Sequence, residues 1–222
     1  IVDDTSRIRL YDLVHEETER LYSELNDRNF PLRPPDLSSP EVTQRGRRYE
    51  SLAEVLLSIV TTGCRWGNAG HVPLWVKVID RIGNPQGERN GAYTDLVALH
   101  RYPALLLLYG GGLAALSAGH FDTLWQLLAK PRALDSPQPE PLLPWLPHKG
   151  VGFGTRLSAH LDRLFQTKLR DIFPIEEDFQ TCFSRFEYLV GLTSLDLSNG
   201  MRWRVGEFVY HNRYNPTQGI SK

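Results

Sequence analysis

Residues 103–119, PALLLLYGGGLAALSAG, make seventeen consecutive uncharged positions with three glycines together at the centre. No other stretch narrows the fold as much, because a run this apolar must leave water for a bilayer or for a protein interior. A spanning helix needs about twenty apolar residues. This run falls short, carries Gly110, Gly111 and Gly112 at its middle, and is followed directly by His120 and Asp122. A phosphate-cradling loop requires Gly-Lys-Ser/Thr after the glycines and a distinct strand before them, and neither is present. A helix that is apolar all round belongs in the middle of a bundle, where glycines let neighbouring backbones approach closely. The run therefore predicts a buried central helix, and Gly111→Leu is expected to lower folding stability with no selective loss of ligand binding.

The rest of the chain reads as amphipathic helices that would surround such a centre. From Asp3 to Leu25, the apolar residues Ile8, Tyr11, Val14, Leu21, Tyr22 and Leu25 fall on one face at helical spacing, with Asp4, Thr5 or Ser6 as caps. The loop NFPLRPPDLSSPE has four prolines in thirteen residues, and its Ser-Pro-Glu end starts a second helix that carries Tyr49, Leu52, Ala53, Leu56, Ile59 and Val60 and stops near Gly63. HVPLWVKVIDRIGN predicts a third helix ending at a Gly-Asn stop, its β-branched content making a strand the alternative. Residues 94–130 read as two helices that meet near Gly119. Two further stripes follow, Leu157, Leu161, Leu164, Phe165, Leu169 and Ile172, then Phe179, Phe183, Phe186, Leu189 and Val190. Pro174 starts the second of these, and Glu176, Glu177 and Asp178 occupy its first turn, where the helix dipole favours carboxylates; they are more simply caps than catalysts. Near the C-terminus, alternation of Trp203, Val205, Phe208 and Tyr210 across Gly206 suggests a short hairpin or strand. The expected fold is mainly α, an irregular bundle of about seven helices with that small β-hairpin.

Six prolines in the seventeen residues 131–147 mark the one boundary. The expected organisation is a helical subdomain over 1–130, a proline-rich connector over 131–147, and a C-terminal helical subdomain over 148–222 packed on the first. With 222 residues, 41% of them hydrophobic, the chain can bury a sizeable core without staples. Its 25 basic and 26 acidic residues give no field to gather nucleic acid or an anionic membrane surface. Cys64 and Cys182 each lie in an apolar helical stretch, which predicts reduced thiols and a cytoplasmic protein. The first residues, IVDDTSRIRLYD, carry charges where the apolar part of a signal peptide would lie. Met201 is the only methionine, so the chain is expected to be a piece of something longer.

Signals of chemistry are few. HKGVGFGTR at 148–156 is the best anion-site candidate: Gly150, Gly152 and Gly154 precede a helix beginning near Thr155, whose free N–H groups suit a phosphate or carboxylate, with Lys149 and Arg156 adding charge and His148 or His160 available for proton transfer. The strand that a dinucleotide fingerprint needs upstream is missing, so a loop leading into a capped helix is the simpler reading. HEETE places His15 and Glu19 one turn apart, but a zinc-protease helix has a second histidine where this chain has Glu19. A solvated charged face explains it better. No metal site, cofactor or catalytic residue is predicted. CRWGN at 64–68 and MRWRVGEF at 201–208 set tryptophan beside arginine, the residue types that dominate interface hot spots, which makes Arg65, Trp66, Arg202, Trp203 and Arg204 candidate contact residues. Core tryptophans with a charged neighbour are the plainer alternative.

The segments RFEYLVGLTSLDL, RWRVGEFVYH and RYPALLLLYGGGLAAL together resemble the helical C-terminal regions of large multidomain prokaryotic defence or signalling proteins that carry an enzymatic effector elsewhere. The resemblance implies a sensor, regulatory or assembly role and supplies no functional residue. The expected function is a noncatalytic helical module whose partners are other domains of a parent protein or a separate protein, with a homo-oligomer as a further option. The competing expectation is a domain that binds a small anionic ligand or nucleotide, or an enzyme, through the 148–156 loop. Membrane attachment through 103–119 is a weaker third.

Overall fold

The computed structural model describes residues 4–34, 38–87, 92–134, 138–147 and 156–198. Over these residues the chain is mainly α, with eight α-helices: α1 (Asp4–Glu24), α2 (Ser39–Trp66), α3 (Val72–Gly83), α4 (Thr94–Leu99), α5 (Tyr102–Ser117), α6 (Phe121–Ala129), α7 (Leu157–Lys168) and α8 (Glu176–Leu197). Among the described residues, one antiparallel pair, β1 (Arg132–Ala133) and β2 (Glu140–Pro141), sets Arg132 opposite Pro141 and Ala133 opposite Glu140. No helix of the described residues is long and apolar enough to cross a membrane.

The glycine-centred run forms α5, and all fourteen residues from Tyr102 to Ala115 are buried. Helix α2 packs along α5 in the most extensive pairing of the fold; α3, α6 and α8 also contact α5. The glycines make this closeness possible. A Cβ on Gly110 would lie 2.4 Å from Leu57 Cδ1 and 2.7 Å from Thr61 Oγ1 of α2, and one on Gly112 would lie 2.3 Å from Phe186 Cε2 of α8. Side chains of the flanking helices thus occupy space that any larger residue would need.

Local signals account for most helix ends. A capping box opens α2: the Ser38 hydroxyl accepts the Glu41 N–H while Glu41 Oε2 accepts the Ser38 N–H at 2.9 Å, satisfying two donors that the helix leaves orphaned. At the junction of α4 and α5, Pro103 has no N–H to give to a continuous helix and sits in the first turn of a new one. The stretch expected as one helix therefore divides at His100 and Arg101, and Gly119, at φ +73, makes the turn between α5 and α6. Helix α3 replaces the strand considered for its β-branched sequence, with Leu74, Trp75, Val78, Ile79 and Ile82 buried on one side.

Two expectations change. Gly63 does not stop α2, which runs on to Trp66; the Trp75 ring lies 2.1 Å from the place of a Gly63 Cβ, so this glycine serves packing rather than termination. The stripe of α1 is only partly covered: Val14, Leu21 and Leu25 are buried, whereas Ile8 and Tyr11 are exposed. In the proline-rich segment, Leu142, Leu143 and Leu146 are buried in the same apolar cluster as the helices, and Leu142 Cδ2 fills the space beside Gly83. The small strand pair sits in this segment too, whereas the hairpin expected near the C-terminus falls outside the described residues.

Candidate functional site

A groove of about 660 Å³ opens where the C-terminal ends of α2 and α5, the first turn of α6 and the outer face of α8 converge. That volume is in the range of small-ligand and peptide-side-chain pockets. Arg65 enters from the last turn of α2, where a cation complements the negative end of the helix dipole. Its Nη1 donates to Ser117 Oγ at 2.6 Å, and its guanidinium lies 5.1 Å from the centre of the Trp66 ring. The Arg65 Nε is shut away from solvent with no acceptor. From α8, Thr181, Arg185 and Tyr188 face the same space, with Asp178 at the start of the helix and Cys182 buried behind them.

The rim is apolar. Trp66 is 75% exposed, Phe121 65%, Trp125 52%, Tyr188 51% and Leu192 46%. Phe121 and Trp125 are one turn apart on α6, as are Tyr188 and Leu192 on α8, so each pair lies on one side of its helix. Of the candidate contact residues, Arg65 and Trp66 thus stand together at this groove. Arg202, Trp203 and Arg204 lie outside the described residues, as do Lys149, Gly150, Gly152, Gly154 and Thr155 of the glycine-rich loop and His148. Arg156 is exposed immediately before α7 and makes no capping hydrogen bond.

Two polar clusters lie deeper. Glu50 Oε1 accepts the Tyr102 hydroxyl at 2.8 Å and lies 2.6 Å from His160 Nε2, tying α2 to α5 and α7. Glu187, 1% exposed, sits among the phenylalanines of α8; the Tyr109 hydroxyl donates to its Oε1 and the Ser158 hydroxyl to its Oε2 at 2.6 Å. These acids were not singled out from sequence, although Glu187 stands four residues after Phe183, on the buried face. An acid interrupting an apolar stripe was the available signal. Of the HEETE pair, Glu19 is held in a two-pronged contact by Arg81 of α3, Nε to Oε1 and Nη2 to Oε2 both at 2.9 Å, and this lowers its carboxyl below the usual range. No group of three metal-ligating side chains occurs among the described residues.

Both cysteines are free and buried. Burial pushes the Cys64 thiol up to about 12 and the Cys182 thiol up to about 11, the latter against the opposing pull of Arg185 and Arg65. Only a thiolate reacts readily with alkylating agents. At about pH 8 the native chain is therefore expected to resist iodoacetamide at both positions, with both alkylated after unfolding; rapid labelling of the native chain, read by intact mass, would contradict these environments.

No known protein family matches the chain, and no curated protein or solved structure is similar to it.

Proposed function

We propose that this chain is a noncatalytic helical assembly or regulatory module that works by docking a protein partner, either another domain of a longer chain or a separate protein, on the face formed by α2, α6 and α8. The observation that carries this reading is a set of large exposed side chains on these helices: Phe121 and Tyr188 line one open groove, Trp66 lies beside Arg65, and Trp125 and Leu192 follow one turn further along α6 and α8. Large aromatic side chains in water forgo the favourable transfer that drives folding, and a contiguous group of them is a usual mark of a contact surface. Tryptophan, tyrosine and arginine supply the most binding energy where such surfaces are covered. The defence or signalling setting rests on the resemblance of the helical segments, and a sensor or assembly role within a multidomain protein agrees with a contact surface of this kind.

Placing the photo-crosslinking amino acid p-benzoylphenylalanine at Phe121 or Trp125, one at a time, tests the reading in cells producing the protein. Discrete adducts of one mass are expected at both positions, with none at the exposed Val55 in the middle of α2. Adducts equally frequent at Val55, or none at Phe121 and Trp125, would overturn it.

A further inference from the structure

Resting on this docking reading, we infer that the groove receives a segment of the partner protein that presents a carboxylate side chain beside an aromatic or aliphatic one, the carboxylate lying between Arg65 and Arg185. Both guanidiniums line the groove, and among the described residues neither is ion-paired with its one acid, Asp178. Arg81 and Lys168, by contrast, reach across the fold to carboxylates, Glu19 and Glu54, at 2.9 Å each. Neither Arg65 nor Arg185 has a carboxylate within ion-pair distance among the described residues; Arg65 has only Ser117 and the Trp66 ring. A partly desolvated guanidinium with one enclosed nitrogen lacking an acceptor gains more from an incoming anion than a fully hydrated one does. The planar fork of each arginine suits a carboxylate.

Arg65 and Arg185 line the same groove together with Cys182. Asp178 stands seven residues before Arg185 on α8, about 10 Å back along the helix axis at 1.5 Å per residue. The groove is therefore cationic at one end and acidic at the other, which orients the segment with its carboxylate toward the end of α5. Phe121, Phe173 and Leu189 line the space beside the arginines and receive the apolar side chain. A protein segment fits better than a small anion because the exposed apolar surface continues a turn further, to Trp125 on α6 and Leu192 on α8, beyond what a molecule filling the groove would cover.

The test uses the full chain and fluorescence anisotropy. The probe is a fluorescein-labelled peptide of about twelve residues in which glutamates alternate with leucines around one phenylalanine, alongside a counterpart with glutamine at every glutamate. The acidic peptide is expected to bind saturably, the counterpart about tenfold more weakly, and Arg65→Gln and Arg185→Gln each to weaken the acidic peptide roughly fivefold while leaving the counterpart unchanged. Arg81→Gln, remote on α3, is the control and is expected to change neither. Arg185 is exposed, so R185Q carries the test if R65Q loses stability. Equal binding of the two peptides, indifference to both groove substitutions, or no binding of the acidic peptide would overturn the inference, as would displacement by sodium benzoate at an affinity equal to that of the peptide. Crosslinks at Trp125 together with indifference to peptide charge would remove this inference and leave the docking reading standing; failure of both experiments removes both.

Discussion

Replacing Gly112 with leucine is expected to destabilise the chain by about 3 kcal/mol or more, lowering the melting temperature by roughly 10 °C for a chain of this size. The cause is steric. The Cβ alone would lie 2.3 Å from Phe186 Cε2 and 2.7 Å from Cζ, and Phe186 is fully buried with no room to turn aside. Its ring stands edge-on to that of Tyr109 at a centroid distance of 4.9 Å, so displacing it also disturbs the contact between α5 and α8. Gly110→Leu is expected to behave alike against Leu57 and Thr61. The middle glycine differs. A Gly111 Cβ would meet Val60 Cγ1 at 3.0 Å and Cys64 Sγ at 3.2 Å, contacts that a few tenths of an ångström relieve. Alanine in a helix interior gains about 1 kcal/mol over glycine, so Gly111→Ala should come close to neutral. Chemical denaturation of the variants gives the order: wild type and Gly111→Ala together, the Gly110 and Gly112 leucine variants far below. A Gly112→Leu variant with the stability of the wild type would mean that α5 and α8 do not pack as described.

That order was only half legible in the sequence. An uncharged run with no polar face identifies a buried helix, because nothing in it can face water; which of three adjacent glycines is crowded depends on residues far away in the sequence, on α2 and α8. The same limit explains Gly63. Locally it reads as a helix stop, and only the Trp75 ring, brought over by the α2–α3 turn, shows that it is a contact point. Helices α3, α7 and α8 were readable because period 3.6 is a local property that survives burial on one side. The leucines at 142, 143 and 146 were not, since a proline-rich segment buries its side chains with no period to announce them. For the groove, the pair Arg65 and Trp66 was visible as neighbours in sequence, whereas Ser117, Phe121, Arg185 and Tyr188 come from three other helices and share no local pattern. What makes the two arginines notable is that they share a groove with no ion pair among the described residues, a property of the assembled face.

Glu187→Leu is expected to cost about 4 kcal/mol even though it places an apolar side chain on the apolar face of α8, the reverse of what a hydrophobicity argument gives. The carboxylate accepts the hydroxyls of Tyr109 and Ser158 on separate oxygens, joining α5 and α7 to α8 inside the core. Leucine takes away both acceptors. A buried hydroxyl that loses its acceptor costs about 1–3 kcal/mol, and two such losses outweigh the roughly 2 kcal/mol that burying a leucine side chain contributes elsewhere, since here the site is already dry in the wild type. Glu187→Gln keeps an acceptor oxygen and should cost less. Coupling separates a hydrogen-bond network from a packing fault. In the wild-type background Ser158→Ala is expected to destabilise by about 2 kcal/mol, the lost hydrogen bond together with the buried oxygen left without its donor, whereas in the Glu187→Leu background the same change removes an already orphaned hydroxyl and should be neutral or stabilising. If Ser158→Ala costs the same in both backgrounds, the two residues act independently, and the cost of Glu187→Leu must come from shape.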